Sequence, residues 1–311
     1  MALSPTFFNQ VRLLVGTMPQ IFKEHCFGLK GGTAINLFVR DMPRLSVDID
    51  LAYLPLEDRE TSLRGIDSAL RRIGHNVEKF LPGTRISFNT LRGTRHCTRI
   101  SVTGNDGMIK VEVTPVLRGS IHQPEIMSLS PSVEDQFGSA QMKVLSFADL
   151  YGGKICAALD RQHPRDLFDV HFLLKNEGLN EDLKNCFLVY LISHNRSIAE
   201  ILDPTPLDVQ GLYESEFAGM TNEPIDIEEL YQARADLVSQ IHSLLNDKDK
   251  AFLLSLKKGN PEWDTFAHPE AAKLPAVKWK LHNIAQMQDE KRSEALAKLE
   301  QVLYQGPNRI N

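Results

Sequence analysis

Residues 44–53 read Arg44-Leu45-Ser46-Val47-Asp48-Ile49-Asp50-Leu51-Ala52-Tyr53, and they decide the class of fold. Apolar and polar residues alternate from Leu45 onward. Val47, Ile49 and Leu51 leave one side of an extended chain, and Ser46, Asp48 and Asp50 leave the other. A strand over 45–53 is predicted, with both carboxylates on one face. Two like charges that close repel each other and disfavour the centre of a strand. A divalent cation removes the conflict, and hard oxygen ligands suit Mg2+, with Mn2+ as the alternative ion. Two such ions, about 3.5–4 Å apart, can orient an attacking hydroxyl and stabilise a leaving pyrophosphate. The solvent side of an edge strand would carry the same pattern, so the paired acids do not decide the chemistry alone.

The stretch just before adds specificity. Gly28 to Thr33 reads as a turn, and Ala34 to Val39 as a short helix. Amides exposed by Gly31 and Gly32 at a helix N-terminus suit a triphosphate. Thr33 can cap that helix or donate its hydroxyl to phosphate. A Gly-Gly-Thr turn, one short helix and an Asp-x-Asp strand in that order are more informative than any one of them.

Working outward, helical spacing covers residues 5–25, with a break expected near Pro19, and residues 57–78. Strands are expected at Arg85 to Leu91, Thr98 to Val102 and Met108 to Thr114, the last entered through the turn Gly104-Asn105-Asp106-Gly107. In Lys110-Val111-Glu112-Val113 the valines face a core and Glu112 faces away. Glu112 is therefore a candidate third carboxylate, to bind metal or take a proton from an incoming hydroxyl. Residues 116–145 read as loop with one short strand.

From Ser146 the pattern turns helical. Ser146 and Asp149 resemble a capping box, and the helix they open is expected to end near Arg161, before Pro164. Tyr151, Lys154, Ala158 and Arg161 share one stripe of it. Gly152-Gly153 is unexpected there, since each interior glycine costs about 1 kcal/mol against alanine. Close approach of another backbone or of a ligand would account for it, and Lys154 would then reach a phosphate. Asp166 and Asp169 fall in the next helix, where acids also favour the dipole. His163 is read as flanking that helix rather than as a metal ligand. Helices continue to the end of the chain, with breaks expected at 202–207 and 259–275.

Composition sets limits. The chain has 311 residues, 42% hydrophobic and 24% charged, which is enough for a sizeable core in two domains. The expected division is an α/β domain at 1–145 and a helical domain at 146–311. The net charge of -5 confines any nucleic-acid surface to a local patch. Arg92, Arg95 and Arg99 near the acids, or Lys278, Lys280, His282, Lys291 and Arg292 in the last helices, are the candidates. Cys26, Cys97, Cys156 and Cys186 lack metal or redox spacing, so reduced thiols are expected. No apolar run reaches transmembrane length and no signal peptide is recognisable. The expectation is a cytoplasmic protein without a membrane partner.

Together GLKGGTAINLF (28–38), RLSVDIDLAY (44–53), IKVEVTP (109–115) and DLYGGKICAALDRQHPRDLFDVHFLL (149–174) resemble the AbiEii-like abortive-infection toxin nucleotidyltransferases, a group within the DNA polymerase β-type nucleotidyltransferase superfamily. KLPAVKWKLHNI (273–284) resembles the end of longer members. The resemblance implies an α+β fold: a polymerase β-like domain with a mixed sheet, then a helical domain that completes the active site and contacts the acceptor. It implies an NTP donor, Mg2+, and toxin activity restrained by a separately encoded antitoxin. Some relatives act on the acceptor end of tRNA, which makes an RNA or tRNA 3′ end the expected acceptor. By resemblance Asp48 and Asp50 bind metal, Gly31, Gly32 and Thr33 cradle phosphate, and Lys154 contacts the nucleotide. The last acid of the family falls on Asp166 or Asp169, and Glu112 matches the third carboxylate position. A protein side chain or a small-molecule hydroxyl as acceptor, and an inactive binding module on the same fold, are the competing readings.

Overall fold

The computed structural model describes residues 5–105 and 107–306, and Asp106 of the expected turn lies outside them. The chain divides into two compact units, 1–150 with 219–224, and 151–218 with 225–311. The fold is α+β, a mixed seven-stranded sheet with many helices.

The first unit begins with α1 (Pro5–Phe22), β1 (Phe27–Lys30) and α2 (Gly31–Ala34), which runs into a π-helical turn, Ile35–Val39. It continues through β2 (Asp48–Tyr53), α3 (Arg59–Phe80), β3 (Arg85–Thr90), β4 (Cys97–Gly104) and β5 (Gly107–Val113). It ends with β6 (Glu125–Ser128), α4 (Pro131–Phe137), β7 (Gln141–Val144) and the start of α5 (Phe147–Arg161). The strand order is β3-β4-β5-β2-β1-β7-β6. β2 runs parallel to β5 and β1 parallel to β7, while the other pairs are antiparallel.

Several expectations are corrected. Pro19 does not break α1, and it sits exposed near the last turn of an otherwise continuous helix. The segment 28–33 is not all turn, because Phe27–Lys30 pairs with both β2 and β7. Ala34 to Val39 is π-helical over most of its length, a form that often marks functional segments. Residues 116–145 hold two strands and a helix rather than loop with one strand. Both strands are four residues long, too short for alternation to register.

β5 shows why the acids face outward. Ile109, Val111 and Val113 are buried and Met108, Lys110 and Glu112 are exposed. β4 continues the pattern with Ile100 and Val102 fully buried, and α3, which packs on β4, buries Ile66, Leu70 and Ile73. Burial of the apolar set fixes the register, and a slip of one residue would turn the acids inward.

The second unit holds the rest of α5, then α6 (Pro164–Asn176), α7 (Glu181–Ser193), α8 (Ile198–Leu202), α9 (Gln210–Glu216), α10 (Ile227–Leu244), α11 (Asp247–Lys258), α12 (Pro275–Ala285) and α13 (Asp289–Gln305). Short 3-10 turns fill part of the segment between α11 and α12. Among the described residues no helix is long and apolar enough to cross a membrane. All four cysteines are free.

Candidate active site

Asp48 and Asp50 open β2 as two half-exposed residues on one face, with Ile49 between them fully buried. Their strand is flanked on both sides. Lys30 of β1 lies opposite Asp50, and on β5 Glu112 stands beside Asp50 and Lys110 beside Asp48. Cross-strand partners share a face, so three carboxylates and two lysines share this one. The Glu112 carboxylate lies 3.9 Å from the Arg99 guanidinium of β4, the strand on its far side.

The glycine turn is shaped around the second acid. Gly31 has φ +75°, and a Cβ there would stand 2.6 Å from Asp50 Oδ2. A Cβ on Gly32 would meet Arg44 Nη2 at 2.9 Å and Ser46 Oγ at 3.0 Å. Both glycines are thus required for close approach between the turn and the strand that carries the acids. Thr33 is buried, and its hydroxyl donates to the Asp48 carbonyl and lies 2.9 Å from Ser46 Oγ. It does not cap α2, whose N-cap is Lys30. Thr33 acts as a brace between α2 and β2.

The approach to β2 is held by a segment distant in sequence. Leu45 N–H donates to the Met220 carbonyl and Asn222 N–H to the Pro43 carbonyl, while Asn222 Nδ2 donates to the Met42 carbonyl. Met42 takes a positive φ of 51°. Arg44 is 3% exposed and donates from Nη1 to the Leu45 carbonyl. Lys30, Arg44, Ser46 and the 219–224 segment were not singled out from sequence. Lys30 could have been, as the residue before the glycines; 219–224 carries no local signal.

The expected basic residues separate. Arg92 and Arg95 are exposed around the β3–β4 connection, and Arg99 faces Glu112. Lys280 is part-buried and donates to the carbonyls of His194, at 2.7 Å, and Arg196, at 2.5 Å. Burial, with Lys257 nearby, lowers its ammonium to about 8. Its ammonium secures the segment after α7 through those two carbonyls, which a phosphate would have to displace.

In the helical unit Lys154, Asp166 and Asp169 come together. Lys154 is 7% exposed, with Nζ 2.7 Å from Asp166 Oδ1 and 2.9 Å from Asp169 Oδ2. Arg161 Nε donates to Asp166 Oδ2 at 2.6 Å. Burial opposes the charge on Asp166, but Lys154 and Arg161 outweigh it and hold the carboxyl well below the usual carboxylate range. Both acids take the same ammonium, and Asp166 takes the Arg161 guanidinium as well. Gly152 is explained by packing: a Cβ would lie 3.1 Å from Phe187 N and 3.2 Å from Cys186 C on α7. Close approach of another backbone, not of a ligand, removes the side chain there. His163 is the N-cap of α6, its Nδ1 accepting from Arg165 N–H. At the start of α5 Asp149 N–H donates to Ser146 Oγ and Ser146 Oγ donates to the Asp149 carboxylate, which also accepts from Ile121 and His122 N–H.

The first unit's donor set fits a hard divalent cation. Paired carboxylates with a third beside them are oxygen ligands of the kind Mg2+ and Mn2+ take, and the glycine turn leaves room around Asp50. Gly31→Ala tests that fit. It forces a β-carbon into a left-handed position, costing roughly 1–2 kcal/mol, and against Asp50. A lowered melting temperature and a larger loss of transfer are expected; wild-type transfer would show that the close approach is not needed.

No curated protein sequence matches this chain. Among solved structures it is similar to MenT4, a nucleotidyltransferase toxin from Mycobacterium tuberculosis H37Rv, with a TM-score of 0.57 at 13% identity over 94% of this chain and 93% of that one. At that identity the likeness concerns the fold. Residues 12–283 match the family described as nucleotidyl transferase AbiEii toxin, type IV TA system. With that match spanning most of its length, the chain belongs to the AbiEii nucleotidyltransferase toxin family of type IV toxin–antitoxin systems and is a nucleotidyltransferase.

Proposed function

We propose that this toxin transfers a nucleoside monophosphate from an NTP to the 3′-hydroxyl of an RNA, with the tRNA 3′ end as the preferred acceptor, in a Mg2+-dependent reaction that Mn2+ also supports. The observation that carries the reading is the pairing of Asp48 and Asp50 on one strand face against the Gly31-Gly32 turn, with Glu112 in register beside Asp50. Asp48 and Asp50, joined by Glu112, would hold the metal, which when bound neutralises phosphate charge and polarises the α-phosphate. The amides of Gly31 and Gly32, with Lys30 next to them, bind the triphosphate. Glu112 accepts the proton of the incoming hydroxyl as its oxygen bonds to the α-phosphorus and pyrophosphate leaves. Asp166 and Asp169 orient the Lys154 ammonium, which serves as a nucleotide contact. A separately encoded antitoxin restrains the activity in the cytoplasm.

The test is incubation with each labelled NTP, Mg2+, and total RNA or total protein side by side. Label at RNA 3′ ends that is abolished by periodate oxidation of those ends supports the reading. Label on protein or on a small molecule, with intact RNA unlabelled, overturns the acceptor and leaves the transferase.

A further inference from the structure

The solvent face of α12 carries a pair of aromatic rings that the fold does not use. Trp279 is 56% exposed. Its ring stacks on that of His282, one turn further on, with centroids 5.5 Å apart and planes 18° from parallel. The opposite side of the helix buries Ala276, Val277 and Ile284, and Lys280 pins it through the carbonyls of His194 and Arg196. The rings therefore stand on an anchored helix. The chain's other tryptophan, Trp263, packs against Phe252 and Phe266, as a tryptophan in a folded domain ordinarily does.

The charge on the helix that carries the pair is one-sided. Residues 275–285, Pro-Ala-Val-Lys-Trp-Lys-Leu-His-Asn-Ile-Ala, include no acid, and Lys278 is exposed beside Trp279. In a chain of net charge -5 an acid-free helix with exposed indole, imidazole, amide and ammonium groups is a local exception. Indole and imidazole faces stack with any nucleobase, and a neighbouring lysine suits the backbone phosphate. A protein partner would be favoured by an apolar surround, whereas the exposed neighbours are Lys278, His282 and Asn283.

We infer that Trp279 and His282 form a stacking platform for an unpaired nucleotide of the RNA acceptor, with Lys278 contacting its phosphate. This rests on the RNA reading above. The experiment is titration of the full-length protein with a short oligoadenylate, followed by tryptophan emission and by binding, alongside RNA labelling kinetics. Trp263 provides an internal reference.

The expected result is saturable quenching that is absent in Trp279→Leu, with RNA affinity in that variant falling roughly ten- to hundredfold, the range for one lost base stack. Lys278→Gln should keep the quenching and lower the slope of log affinity against log salt by about 0.7, the value for one phosphate contact on a single strand. KM for the NTP should not move in either variant. Emission unmoved by oligoadenylate, or Trp279→Leu binding it with wild-type affinity, overturns the platform. If wild-type protein labels RNA and Trp279→Leu does so at unchanged RNA KM, the platform falls and the RNA reading stands. If wild-type protein neither binds nor labels RNA, both fall together.

Discussion

Asp50→Asn is expected to abolish nucleotide transfer while leaving the fold intact, and Asp48→Asn to do the same. The substitution is isosteric and removes one of two carboxylates held on the same strand face, so like-charge repulsion is relieved and thermal stability stays level or rises. The activity loss follows from the same geometry. Asp50 is the acid that the Gly31 turn closes on, with Lys30 on one side, and Glu112 on the other side already has its own part in the same site, so removing Asp50 leaves the set one carboxylate short. Loss of a preorganised charge contact in an active site lowers turnover by about a hundred- to a thousandfold, and loss of a metal ligand should do at least as much. The measurement is labelled-NTP transfer beside a thermal melt, with growth of the expressing host as a third readout. Wild-type rates in Asp50→Asn would end the assignment of this face as the active site.

Lys154→Met should destabilise the protein severely. Its ammonium sits between two carboxylates that are each 1% exposed, and removing it takes from both the cation they share, while Arg161 on Asp166 is largely exposed. Breaking such a buried group from one side costs about 3–5 kcal/mol. The pH dependence carries the signature. In the wild type, burial opposes the Asp166 charge but Lys154 and Arg161 overcome it, so the folded-state carboxyl titrates below its unfolded value. That contribution is fully present above the unfolded pKa of about 3.9 and is lost as pH falls below it. In Lys154→Met burial of Asp166 acts with less opposition and that acid favours protonation, so mild acidification should narrow the gap to wild type. Denaturant unfolding across the acid range checks both signs. A wild-type unfolding midpoint in Lys154→Met at neutral pH would contradict the buried network. Should the variant still fold, its NTP KM measures the proposed phosphate contact separately, with a rise of roughly ten- to a hundredfold expected for a charged hydrogen bond.

The parts of this protein written in local sequence are those whose physics is local. Alternation in 45–53 was sufficient to put Asp48 and Asp50 on one face, because strand side chains alternate whatever surrounds them, although the strand itself begins only at Asp48 and not at Leu45. The same rule turned Glu112 away from its valines, and Pro164 marked the start of α6. Tertiary structure alone decided the rest. β1, β6 and β7 are four residues each, too short to show a period, and become strands through their partners in the sheet. The register that sets Glu112 beside Asp50 joins residues 62 positions apart. Nothing near Lys154 in sequence shows that α6 brings both Asp166 and Asp169 onto its ammonium, and Gly152 reads as a weakness until α7 packs against its bare backbone. The loop leading into β2 is held by residues 219–224, through backbone pairs and the Asn222 side chain, a pairing that only the tertiary structure brings about. Side-chain type and spacing determined which groups can do the chemistry; contacts distant along the chain determined which of them meet.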